Sequence, residues 1–216
     1  MTFKQLSVAL ATVALITLTP AGDAYSLGPG VGTGTTGLCP MTAKITFAPK
    51  LREGTLSVVD TKISGKLGTK TSPCSGGTDS GVTLVGGSLK GAIKGSAAAT
   101  CSTWEKDGFG PFQLTVKWKV AKRTRQLFPT TIDVAATLPD EFNLSGPGGS
   151  VQMTFHGQGE ATNAKGEPQS FSEAPFTIVA TTDQTFVEFV NACRPPSKGA
   201  KGFTLTGVNG ASTLSS

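Results

Sequence analysis

The chain is poor in the residues that catalysis and metal binding draw on. Histidine occurs once, as His156, tyrosine occurs once, and only 15% of the 216 residues are charged. One histidine is too few for the paired imidazoles of most histidine-bound metal centres, and no two cysteines stand two to four residues apart, the spacing of zinc-binding pairs. A Ser-His hydrolase needs a serine nominated by its surroundings, yet G-x-S-x-G occurs nowhere. No apolar run approaches the roughly 20 residues of a membrane-spanning helix. Sustained helical periodicity is also missing, which argues against helical bundles and α/β architectures.

The N-terminus supplies the first positive signal. Lys4, the apolar run LSVALATVALITL from Leu6 to Leu18, Pro20 and the small-residue segment AGDA follow the charged, apolar, small-residue order of a secretory signal peptide. The expectation is a signal peptide over residues 1–24, cleaved after Ala24, and a protein that works outside the cell or at its envelope with no membrane span. No cysteine follows the cleavage point, so no lipid anchor is expected there. Residues 25–38 are rich in Gly and Thr and read as a flexible leader. Within it, GVGTGTTG matches G-x-G-x-x-G at Gly32, Gly34 and Gly37. A dinucleotide loop needs a strand before it and a helix after it, whereas this stretch follows a cleavage site and precedes Cys39 and a strand. No cofactor is expected.

The rest of the chain carries strand signals. In FQLTVKWKV, Phe112, Leu114, Val116, Trp118 and Val120 alternate with Gln113, Thr115, Lys117 and Lys119, the period of a half-buried antiparallel strand. Similar segments surround Ile45–Phe47, Leu56–Leu67, Val82–Ile93, Ile132–Leu138, Val151–Phe155 and Phe176–Ala180, with TFVEFVNAC (185–193) and GFTLTGV (202–208) completing the set. Changes of parity predict bulges near Val59–Thr61 and at Gly86-Gly87. About nine strands separated by short turns imply an all-β fold. The expected form is a single antiparallel β-sandwich, immunoglobulin-like in architecture, over residues 39–210, followed by a tail at 211–216; a β-barrel is the alternative.

Four cysteines in an exported chain predict two disulfides. CSGGTDSGVTLVGG from Cys74 is weakly similar to CRPPSKGAKGFTLTGV from Cys193. Two unequal halves closed by Cys39–Cys74 and Cys101–Cys193 would account for that similarity, although four cysteines allow three connectivities.

Few side chains are candidates for chemistry. His156 points to the polar face beside Gln152 and Thr154 and reads as an exposed strand residue. Asp140-Glu141 lies in a turn, and Glu160 and Glu188 lie in strand regions with nothing in the sequence to place either in a cleft. Asp79 and Asp140 head the densest oxygen-rich loops, which match no EF-hand. The protein is therefore expected not to be an enzyme and to bind no metal.

Its charge is uneven: residues 25–100 hold 8 Lys/Arg against 3 Asp/Glu, whereas residues 101–216 hold 10 against 10. On the outward parity of three strands stand Lys62 and Lys66, Lys90 and Lys94, and Lys117 and Lys119. If those strands are neighbours, their ammonium groups form a stripe for a polyanion; if not, they serve solubility and edge protection. The dense basic run KVAKRTRQ has no interleaved aromatics to stack bases, so nucleic acid is not an expected partner.

Taken together, the signal peptide, ITFAPKL, KISGKLGTKTSPCSGG, GVTLVGGSLKGAIKGS, the Thr100-Cys101 pair, LTVKWKV and the C-terminal cysteine with GFTLTG resemble a group of small secreted β-rich proteins of actinobacteria. The resemblance spans most of the mature chain. It implies a secreted β-rich domain and carries over no catalytic residue. The functional expectation is a binding or structural module whose partner is an anionic envelope polymer or another surface protein. The alternatives are an extracellular hydrolase of wall or glycan polymer and a carrier of a small apolar molecule.

Overall fold

The computed structural model describes residues 38–79, 81–95, 97–104, 111–121, 127–135, 142–143, 149–206 and 213–215. The expected signal peptide, most of the expected leader, Asp140-Glu141 and most of KVAKRTRQ lie outside the described residues. Eight long strands dominate: β1 (Cys39–Leu51), β3 (Asp60–Leu67), β5 (Val82–Ile93), β7 (Phe112–Val120), β8 (Thr130–Ala135), β10 (Ser150–Gly159), β11 (Pro175–Thr185) and β12 (Ala200–Thr206). Shorter pieces are β2 (Ser57–Val58), β4 (Thr78–Asp79), β6 (Ala98–Ala99), β9 (Phe142–Asn143) and β13 (Thr213–Ser215).

Antiparallel pairing runs β1, β3, β5, β7, β8, β10, β11, β12 in chain order. It then returns to β1, because β12 pairs with both β11 and β1. The all-β antiparallel class is therefore as the alternation implied. Among these pairings the eight strands form one bonded sheet rather than two. The two packed sheets of the expected sandwich are therefore not confirmed. The small β2–β6 ribbon stands apart from it.

Side-chain alternation sets inside from outside. Met41, Ala43, Ile45 and Phe47 of β1, Leu114 and Val116 of β7, Ile132 and Val134 of β8, and Phe176, Ile178 and Ala180 of β11 are all buried. The residues between them are mostly Thr, with Lys44 and Asp133, so the outer face is largely polar. At one end Phe47, Trp104, Phe189 and Phe203 pack together, with Phe47–Trp104 ring centroids at 4.9 Å and Trp104–Phe203 at 5.7 Å, both edge to face.

The segment 185–193, read as a strand, is instead the helix α1 (Phe186–Cys193). Thr185 accepts from the Glu188 N–H at 3.1 Å, and the Glu188 carboxylate accepts from the Thr185 N–H at 2.7 Å. This capping box satisfies two otherwise orphaned donors and starts a helix. Phe189 and Cys193, four residues apart, then bury one face of that helix.

The parity change at Val59 is a break between β2 and β3 rather than a bulge, with β2 leaving the main sheet to pair with β6. The second expected irregularity is present as a register shift between Leu84 and Gly86. Two boundaries also move. Leu38, assigned to the leader, bridges Ser75, and residues 213–215, assigned to the tail, pair with β1 and β11.

Both disulfides have the pairing preferred from the sequence. Cys39–Cys74 spans 35 residues and Cys101–Cys193 spans 92. In the chain-entropy account, closing loops of those lengths contributes about 4 and about 5 kcal/mol. The second bridge ties the segment after β6 to the end of α1, fastening the aromatic end of the ring.

Candidate functional site

The three lysine-bearing strands are neighbours: β3 pairs with β5, and β5 with β7. Lys62, Lys66, Lys90, Lys94, Lys117 and Lys119 are all exposed, on one continuous outer surface. Register then determines their pattern. Lys66 and Lys117 both stand opposite Ser88, from the two sides of β5. Lys44 and Lys90 both stand opposite Ser64, from the two sides of β3.

Lysine and small hydroxyl residues thus alternate across the strands. No two of these lysines are directly opposite one another, an arrangement in which like charges would be destabilising. With strands about 4.8 Å apart, lysines flanking one strand are anchored about 10 Å apart. Diagonal neighbours such as Lys90 and Lys117 lie about 7–8 Å apart. The diagonal spacing is within the Debye length of about 8 Å at physiological salt and the flanking spacing only slightly beyond it, so neighbouring fields overlap.

Lys44 belongs to this face and was not singled out from the sequence. The signal was available: in AKITF it occupies the outward parity between Ala43 and Ile45, on a strand whose partner was then unknown. Lys94 is different in kind. Its Nζ lies 2.7 Å from Asp60 Oδ2, and Asp60 also accepts from the Gly95 N–H at 3.2 Å. The Lys94 hydrogen bond first, and that of Gly95 second, hold the Asp60 carboxyl below the usual aspartate value. Lys94 therefore frames the face while its charge is already matched. Asp60 is the only carboxylate at the described outward positions of β1, β3, β5 and β7.

The other candidates among the described residues each have partners of their own. His156 is exposed on β10, with Nδ1 3.3 Å from the Thr177 hydroxyl. Glu188 is occupied in the helix cap, where the Thr185 N–H holds its carboxyl below the usual range. Glu160 lies beside Asp133, and the Gln113 amide donates to both, at 2.7 and 2.9 Å. Burial, and then the charge of Asp133, push the Glu160 carboxyl above its usual value. Asp133 and Glu160 as a bonded cluster were not foreseen, because one lies on β8 and the other just past the end of β10, 27 residues on in the sequence. Among the described residues, no group of three or more His, Cys, Asp or Glu side chains is arranged to hold a metal ion.

Protein-family models, curated proteins and solved structures were each compared with the chain, and none matches. Two disulfides, and no helix among the described residues long and apolar enough to cross a membrane, are compatible with an extracellular protein.

Proposed function

We propose that the protein is a secreted, non-enzymatic binding module that holds an anionic polymer of the cell envelope or its surroundings against the outer face of β1, β3, β5 and β7. The observation that carries this reading is the lysine array itself: cations on four adjacent strands, spaced by Ser and Thr, with the one carboxylate among them engaged by Lys94. Such a surface attracts polyanions through summed potential rather than through one deep contact. The signal-peptide pattern and the two disulfides support an oxidising, extracellular setting.

The interior lends less support to the carrier alternative. It is filled by Leu, Ile, Val and Phe, and the enclosed space beside Trp104, Met153 and Phe189 is about 20 Å³, room for about one water molecule. The test is retention of the exported chain on immobilised polygalacturonate across a salt series. Binding that weakens steadily from about 50 to 300 mM salt is expected, since screening shortens the reach of each lysine. Absent or salt-independent binding overturns the reading.

A further inference from the structure

At one edge of the lysine face, β1 and β12 part. Thr46 pairs with Gly202 and Leu51 with Ala200, so that residues 47–50 of β1 stand against Lys201 alone. Extra residues on one strand leave the ladder and re-aim their side chains, a device common beside binding sites. Gly202 has φ +145, and a Cβ there would overlap the Ile45 carbonyl, so glycine is required for the two backbones to approach just before they separate. The result is an open groove of about 650 Å³ whose polar lining includes Lys44, Lys50, Lys201, Asp183, Gln184 and Thr204. That volume falls within the range of small-ligand clefts.

Its charge is mixed in an informative way. Three ammonium groups and the Asp183 carboxylate line one groove, yet among the described residues the only ion pair is Lys94–Asp60, elsewhere on the surface. Asp183 is oriented by the Thr204 N–H, which donates to its Oδ1 at 2.9 Å, so its second oxygen remains an acceptor. A ligand that is only anionic gains nothing from that carboxylate. A ligand bearing both an acid group and hydroxyl donors uses every group present.

We infer that this groove seats one acidic sugar unit, its carboxylate on Lys50 and Lys201 and its ring hydroxyls on Asp183 and Gln184. Lys44 lies both in the groove and on the lysine face, so a chain held on the face presents a unit to the groove. The inference in this sense rests on the polyanion reading above.

The test is calorimetric titration of the exported chain and its variants with digalacturonate, set beside retention on immobilised polygalacturonate and polyphosphate. Digalacturonate should bind the native chain. K50A/K201A, at one half-buried and one exposed position, should weaken that binding at least tenfold while leaving most of the polymer retention in place. Asp183→Asn keeps an acceptor for the Thr204 N–H and removes a negative charge. It should weaken digalacturonate about tenfold through the lost hydroxyl acceptor, while polyphosphate retention stays unchanged or rises. Tighter digalacturonate binding by Asp183→Asn would show a merely cationic groove and overturn the inference. Polymer retention by the native chain without digalacturonate binding also overturns it, leaving the function reading intact. Failure of both probes removes both.

Discussion

On β1, β3, β5 and β7 the lysines project between small hydroxyls, and among the described residues only Lys94 forms an ion pair with a carboxylate; from β7 across β8 to the end of β10, polar side chains bond to one another instead. There Gln113 bridges Asp133 and Glu160, Gln169 donates to Glu160 at 3.4 Å, and the Thr131 N–H donates to the Gln169 side chain. Just inside, the Thr130 hydroxyl accepts from Trp118 Nε1 at 2.7 Å and donates to the Ser170 carbonyl at 2.6 Å. Polar groups bonded internally hold the segment between β10 and β11 against the ring. Charges that lack such partners stabilise little, and so remain available to a ligand. The contrast teaches that one side of the ring spends its polarity on the fold and the other leaves it for binding.

That contrast can be broken by substitution, and the largest effect belongs to the bonded side. Thr130→Val leaves the Trp118 N–H and the Ser170 carbonyl without their buried partner and should cost about 2–3 kcal/mol. Denaturant titration would show it, with polygalacturonate retention of the folded variant unchanged. Gln169→Ala, which unpairs the Thr131 N–H, should cost about 1–2 kcal/mol by the same measurement. If either change proves neutral, the network is not structural. On the other side, K66E/K90E/K117E should abolish retention on polygalacturonate while each site shifts stability by no more than about 0.5 kcal/mol. Retention equal to that of the native chain would erase the distinction between the two sides.

Two carboxyls sharpen the same contrast through pH, with smaller effects. Glu160 has a raised value in the fold, so in the window between its ordinary and raised values the native state binds more protons than the unfolded chain. Stability should therefore fall as pH rises through that window, and the slope should vanish in Glu160→Gln. Asp60 has a lowered value, so its pair with Lys94 contributes above the ordinary aspartate range and is lost as pH falls through the lowered value. Lys94→Ala should flatten that acid limb and otherwise leave stability little changed, as expected of an exposed ion pair. A steeper acid limb in Lys94→Ala would contradict the pairing.

Much of the fold was legible because alternation is local. FQLTVKWKV needs no partner to declare which residues face inward, and the same holds for β8, β10 and β11. Helix α1 was missed although T-x-x-E was present at Thr185–Glu188, because Phe, Val and Cys suit strands as well as buried helix faces. The candidate site was legible only in part. Lys62, Lys66, Lys90, Lys117 and Lys119 could be placed on outward parities, but Lys50 and Lys201 meet only where β1 departs from its register with β12. Asp60 and Lys94 lie 34 residues apart and pair because β3 and β5 end together.

The sequence by itself determined the all-β class, the inward and outward faces of most strands, the parity of the lysines and a preferred disulfide pairing, because these depend on side-chain period and composition. Only the tertiary structure decided that the pairing path closes, that the lysine strands are adjacent and in a register that interleaves their charges, and that a groove opens between β1 and β12. Those outcomes depend on hydrogen-bond partners far apart in the chain, and a period-two pattern names a face without naming the neighbour.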